Sequence, residues 1–407
     1  MKKIIAIILT VMMVLVTSSY AFADTALADS DDFVVWAHED WTTGDGFYKV
    51  NNTTYEITTP AGFVYFYNTM CDGTTYKGCT VKLKNNLDIG DCLYIAQVNG
   101  LYKKAVNIYF EGTFDGENHT IKCVGIITID KIGGLFGNIK NATIKNLALE
   151  ELYTWPASPK TSSDWGMIAA CAYGNNTISN VKVLAFSGAE VIRVYENAGG
   201  FVGHVKEGAT LYIDNCENSL GLWAYRDNVG GFVGLVDKNA YVSIYNSKNT
   251  GLIKSKYTEN ITTYYEGVSD GVGLFTETEM ATLGQYLGGI IGTVYGSVKL
   301  FNVENTGEVY SVTDNTTGGE AGGLIGRLDW NGGLDAPSIE KSINRGKVTG
   351  YLSAGGIIGW VGNDSNDQNY DIRYCQNYGA IESKTSEAGG IIGHFDTDRS
   401  NTGKVKE

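Results

Sequence analysis

Seven stretches of this chain carry a glycine pair, two apolar residues and a third glycine, as in "GGIIGWV" at 355–361 and "GGIIGHF" at 389–395. One such stretch alone resembles a phosphate-cradling loop, in which backbone N–H groups close on an anion. That chemistry requires a helix after the loop and a Lys-Ser/Thr pair or a ribose-binding acid downstream. None of the seven copies is followed by Gly-Lys-Ser/Thr or by a convincing helix, so no nucleotide cofactor is expected. Other candidate chemistry lies in the carboxylates: Asp364, Asp367 and Asp371 in "NDSNDQNYD", Asp396 and Asp398 in "DTDRS", and Asp115 in "FDGENH". Two carboxylates are the minimum for glycoside cleavage, yet no cluster pairs an acid with a base at a defensible spacing. The first cluster has oxygen ligands for calcium but lacks the ordered spacing and glycine of an EF-hand loop, and reads as a solvated turn. Asp115 and His119 read as a turn followed by a strand residue. There is no Gly-x-Ser-x-Gly elbow, no His-Glu-x-x-His and no Cys-x-x-Cys, and His38, His119, His204 and His394 are scattered. The expectation is no catalytic residue, no cofactor and no metal site of the usual zinc spacing.

The chain opens with Met-Lys-Lys, an apolar run "IIAIILTVMMVLV" and Ala21-Phe22-Ala23, the pattern of a secretory signal peptide over 1–23. A membrane anchor is the alternative, but the run is short against the roughly 20 residues a span needs. No second run is long enough, so no membrane span is expected in the mature chain. Without Lys2 and Lys3 the remainder holds 29 basic and 45 acidic residues. Such a balance disfavours nucleic acid and anionic membranes as partners and suits a secreted, extracellular protein, with or without attachment to the cell surface. Seven cysteines at low density do not form a disulfide scaffold, although Cys71 and Cys79 are close enough in sequence to pair. Cys216 and Cys375 read as packing residues.

What must position these groups is a repeat. The motif glycines are Gly133, Gly134 and Gly137; Gly199, Gly200 and Gly203; Gly230, Gly231 and Gly234; and Gly288, Gly289 and Gly292. They continue as Gly322, Gly323 and Gly326; Gly355, Gly356 and Gly359; and Gly389, Gly390 and Gly393. First glycines are separated by 66, 31, 58, 34, 33 and 34 residues. A degenerate copy at Trp165 divides the first step, and an insertion at about 254–287 lengthens the fourth copy's approach, leaving a period near 33. After each motif comes an alternating strand, such as "TLYIDNCEN" or "SVKLFNVEN", ending in an asparagine. Asn218, Asn249, Asn305, Asn344 and Asn377 are expected to stack as a side-chain ladder between coils. The Asn-x-Gly step is expected to supply the left-handed backbone that turns the corner. Short apolar strand, turn, alternating strand and corner make one coil of a solenoid, so the fold class is all-β. It is a right-handed parallel β-helix of roughly eight coils over 59–407, with an N-terminal cap at 24–58.

The stretch "ITTPAGFVYFYNTMCDGTTYKGCTVKLKNNLDI" (57–89) resembles the leader of secreted bacterial β-helix proteins, and "FEGTFDGENHTIKCV" (110–124) resembles their most distinctive block. "GGLFGNIKNATIKNLAL" (133–149) follows at the usual place, and the later repeats resemble GLUG motifs. The resemblance covers about 57–407 and implies an adhesin-like surface protein, or the non-catalytic region beside the peptidase domain of IgA1-specific metallopeptidases. It carries over a scaffold, not a catalytic residue. A non-catalytic module binding a glycan or a protein is therefore expected, with Tyr257, Tyr264 and Tyr265 in the insertion as candidate contacts. Solenoid insertions project from one face and often carry recognition. The same tyrosines can equally pack back on the coil. The alternatives are a β-helix carbohydrate-active enzyme, or the scaffold of a surface protease with further C-terminal domains, because the sequence stops partway through a coil. Three or more carboxylates or bases converging on adjacent coils would favour the enzyme, and a smooth lateral face the adhesin.

Overall fold

A computed structural model of the chain describes residues 33–35, 44–89, 109–122, 134–150, 164–185, 191–194, 197–224, 227–255, 285–311, 319–330, 335–362, 370–385 and 387–396. They form a parallel β-solenoid. Four sheets run along it, of 18, 9, 7 and 6 described strands, here sheets 1 to 4 in that order. One coil illustrates the path. Glu320–Gly322 lies in sheet 3, Ile325–Leu328 in sheet 2, Ser338–Glu340 with Ile343–Asn344 in sheet 1, and Val348–Gly350 in sheet 4. The chain then re-enters sheet 3 at Ser353–Gly355. Sheet 2 takes one strand from each of nine coils, close to the eight or so expected. Gly230, Gly288, Gly322, Gly355 and Gly389 are successive register partners, so the 58-residue step leaves the stacking intact. Around the expected insertion, the described coil strands end at Ser255 and resume at Gln285.

Inside, each apolar column continues from coil to coil. Phe201 and Phe232 stack with ring centroids 4.7 Å apart, and Ile290, Leu324 and Ile357 continue the column, all fully buried. Their backbones bond coil to coil through the corner, as in Phe232 N–H to Ile290 O at 2.9 Å and Leu324 N–H to Ile357 O at 2.9 Å. Cys216 is buried in a neighbouring column, its thiol pushed up to about 12 chiefly by burial, and it is inert for that reason. Cys71 and Cys79 are not joined in a disulfide.

The N-terminal end contains a helix that the sequence reading did not foresee. Within the expected cap only Phe33–Val35 and residues from 44 onward are described. Phe47–Lys49 pairs antiparallel with Thr54–Ile57, and the helix Pro60–Cys71 follows. Thr59 caps it: its Oγ accepts from Gly62 N–H at 3.0 Å, and Pro60 supplies the fixed φ favoured at the first position. Phe63, Phe66, Tyr67 and Met70, at helical spacing, are buried on one face. Phe66 meets Phe110 and Phe114 of later coils at centroid distances of 6.2 and 6.0 Å, covering the end of the core.

Two asparagine ladders line the coils. In the buried one, Asn218 Nδ2 donates to Asn249 Oδ1 at 2.7 Å, Asn249 to Asn305 at 2.9 Å, Asn305 to Asn344 at 2.9 Å and Asn344 to Asn377 at 2.8 Å. The second Nδ2 hydrogen goes to the carbonyl two residues on, as from Asn305 to Gly307 O at 2.9 Å. These asparagines do not have positive φ, nor do the glycines that follow them, which corrects the expected corner. The left-handed residue lies three positions earlier: Asn215, Asn246 and Asn302, then Lys341 and Tyr374, with φ of 53°, 48°, 55°, 51° and 56°. Their side chains begin the exposed ladder, with Asn215 to Asn180 at 2.7 Å and Asn302 to Asn246 at 2.8 Å. The motif glycines serve close approach. A Cβ on Gly356 would lie 2.0 Å from Gly390 O and 2.5 Å from Asn377 Cγ.

Two stability changes follow. Phe66→Ala should cost about 3–5 kcal/mol, read as a lowered urea midpoint. Asn305→Ala leaves Asn249 Nδ2, Asn344 Oδ1 and Gly307 O short of partners and should cost about 3 kcal/mol. Asn377→Ala, which strands only one described ladder neighbour, should cost about 1 kcal/mol by the same measurement.

Candidate functional site

The anticipated contact residues Tyr257, Tyr264 and Tyr265 lie outside the described residues, as do Gly133, Asp364, Asp367 and Asp398. Asp371 is paired with Arg373 at 2.8 Å. Asp115 is held by Asn146 at 2.9 Å and Lys145 at 3.1 Å, at a register shift in the strand Thr113–Lys122. His119 Nδ1 lies 3.3 Å from Asn86 Oδ1. Of the described members of this set, Asp371 lies coils away from Asp115 and His119, and the three do not converge.

Convergence occurs elsewhere, on either side of each glycine motif. The motif folds the sheet 3 strand back on the sheet 2 strand, backbone against backbone; a Cβ on Gly322 would lie 1.7 Å from Ile325 O. Where this contact ends, the residue two before the first glycine faces the residue directly after the third. The sheet 2 column reads Cys171, His204, Leu235, Thr293, Arg327, Trp360 and His394. Opposite it stand Asp164, Asn197, Asn228, Tyr286, Glu320, Ser353 and Glu387. Both positions change between most copies of an otherwise repetitive motif, which is the signal that sequence reading passed over.

At one end of this stripe Asp164 is saturated. Its carboxylate accepts from Asn197 Nδ2 at 2.7 Å, Lys206 Nζ at 2.8 Å and Cys171 Sγ at 3.2 Å, and lies 3.0 Å from His204 Nδ1. Lys206 Nζ also lies 2.7 Å from His204 Nδ1, and His204 Nε2 lies 3.2 Å from Asp237 Oδ2. Burial alone would raise Asp164, but His204 and Lys206 hold it well below the usual carboxylate range. Burial lowers Lys206, and Cys171 and Asp164 outweigh it and keep the ammonium charged. Burial and Asp164 together push the Cys171 thiol up. A thiol that donates to a carboxylate is the reverse of an activated nucleophile.

Further along, Arg327 is sandwiched between the Trp360 ring, 3.9 Å from its Cζ, and the Tyr286 ring at 4.9 Å. Trp360 in turn stacks on His394 with planes 4° apart. The Arg327 guanidinium donates to Glu320 Oε1 at 3.4 Å and Asp329 Oδ2 at 3.2 Å. Glu320 is only 6 % exposed, its Oε2 has no partner, and burial raises it to about 7 against the lowering pull of Arg327. Among the described residues no group of three or more His, Cys, Asp or Glu is placed to hold a metal ion. No described helix is long and apolar enough to cross a membrane.

No protein-family model matches the chain, and no curated protein matches it. Among solved structures the chain is similar to one from Bacteroides ovatus described as a "putative immunoglobulin A1 protease". The identity is 14 %, the TM-score 0.36, and the match covers 71 % of this chain and 82 % of that one.

Glu320 makes stability depend on pH. Its folded value lies above the ordinary 4.5, so the folded state holds the proton more tightly. Its contribution is complete below about pH 4.5 and is lost as pH rises through about 7, on the order of 3 kcal/mol. Thermal melts between pH 4 and 8 should show this decline, and Glu320→Gln should flatten it.

Proposed function

We propose that this chain is a secreted or surface-held β-helix module that binds a glycan or a protein along its side and catalyses no reaction on it. One observation carries the reading: the titratable groups that converge on the stripe are consumed by one another. Asp164 remains an anion, Lys206 a cation and Cys171 a thiol, so none is poised to transfer a proton or attack a carbonyl near pH 7. Glu320 has the raised proton affinity of a general acid, but it is packed under its neighbours. The signal-peptide pattern at 1–23 supports secretion.

A second reading is a β-helix carbohydrate-active enzyme, and one observation favours it. Asp164, Lys206 and Asp237 meet through His204 on three consecutive coils, the convergence expected of a catalytic groove. The scaffold of a surface protease whose catalytic domain lies elsewhere is the third. Incubation with neutral and acidic polysaccharides and with proteins, followed by product analysis, separates these. Retained binding on a glycan or protein array without new reducing ends, unsaturated sugars or peptide fragments is the expected result. Turnover abolished by Asp237→Asn or Glu320→Gln would replace the binding reading with the enzymatic one.

A further inference from the structure

The outer face of sheet 1 is polar along most of its length, with Thr177 and Ser179 on one coil and Ser338 and Glu340 on another. Across three consecutive coils it changes. Tyr212, Tyr245 and Phe301 form a diagonal of rings, with centroids 5.4 Å apart for the first pair and 6.2 Å for the second. The planes are tilted by 34° and 42°, so no ring is fully covered by its neighbour. Tyr212 is 37 % exposed, and Tyr245 and Phe301 are partly exposed on the same face.

Two lysines flank the rings: Lys299 Nζ lies 5.9 Å from the Tyr245 centroid and Lys341 Nζ 5.0 Å from that of Phe301. Neither has an ion-pair partner among the described residues. The adjacent acids are already engaged: Glu304 with Lys248 and Arg345, Asp371 and Glu340 with Arg373, and Asp214 with Asn246. On a chain of net charge −14, this face therefore offers two uncommitted cations beside exposed apolar rings.

Lys341 adds a second observation. It stands at the left-handed corner, φ 51°, where Asn146, Asn180, Asn215, Asn246 and Asn302 stand in earlier coils. Asparagine tolerates that conformation better than lysine and bonds its neighbour there. The corner thus gives up a ladder hydrogen bond and places an ammonium over Phe301.

We infer that this face binds a linear glycan bearing carboxylates, laid along the solenoid axis, an inference that rests on the binding function proposed above. The rings contact the C–H faces of the sugars, and Lys299 and Lys341 pair with carboxylates. Two free cations on an acidic chain are too few for the many phosphate contacts that hold a nucleic acid.

Fold-safe variants test it. Lys299→Ser installs the residue that Ser243 and Ser338 carry on either side in the same row. Lys341→Asn restores the residue of the earlier coils, and Phe301→Ser removes the last ring. Affinity for polygalacturonate, a neutral dextran and oligo(dT) is measured with melting temperature as control. Wild-type protein should bind polygalacturonate in a salt-sensitive manner, and the double lysine variant should bind at least about tenfold more weakly without a lower melting temperature. Phe301→Ser should weaken binding as well. Polygalacturonate bound equally well by all variants, or no more tightly than dextran, overturns this site while leaving the binding function intact. Preference for oligo(dT) assigns the face to nucleic acid and also overturns it. Cleavage of polygalacturonate by the wild type would instead defeat the non-catalytic reading.

Discussion

A glycine backbone lying against an asparagine amide is the contact on which the rest of this structure depends. At Gly200, Gly231, Gly289, Gly323 and Gly356 the second motif glycine occupies the space beside the buried ladder, and any side chain there would enter the neighbouring carbonyl and the asparagine together. That close approach keeps the ladder dry. A dry amide is costly if unpaired, so each asparagine must find its counterpart on the next coil, and register follows from that requirement. The apolar columns then align without any further instruction. Even the long insertion does not disturb them, because glycine and asparagine re-engage as soon as the chain returns.

Charge is organised by the same geometry. The glycine fold-back brings two side-chain columns face to face, and buried charges there survive only by pairing. Asp164 with Lys206 and Arg327 with Glu320 and Asp329 satisfy that condition. Convergence of charged groups, often taken as the mark of an active site, is also what the pairing of buried charges requires.

Much of this was legible in the sequence. The period, the parallel sheets and the asparagine column could be read because invariant residues recur at fixed distances and only a solenoid uses such a rhythm. The helix Pro60–Cys71 was missed although its signals were present: a Thr-Pro start and apolar residues at 63, 66, 67 and 70. Its strand-rich surroundings and the family resemblance drew attention away from that spacing. The corner was misplaced by three residues, because both an Asn-x-Gly step and a lone asparagine admit positive φ and only the backbone distinguishes them. Two features were harder to see. The facing columns change residue between most coils, so they resemble background variation. The cluster of Tyr212, Tyr245 and Phe301 spans steps of 33 and 56 residues, and its members become neighbours only once the insertion is placed.

The column after each third glycine has a consequence of its own. It accepts thiol, imidazole, isobutyl, hydroxyl, guanidinium and indole groups in successive coils with no slip in strand register. Strand register is thereby uncoupled from the identity of a side chain that is mostly buried. The glycines and asparagines hold the scaffold constant, while this single position per coil can change wherever the facing column satisfies it, one side chain for every 4.8 Å or so of length. A lineage built on this repeat can vary the chemistry of its flank one coil at a time, without having to solve the folding problem again.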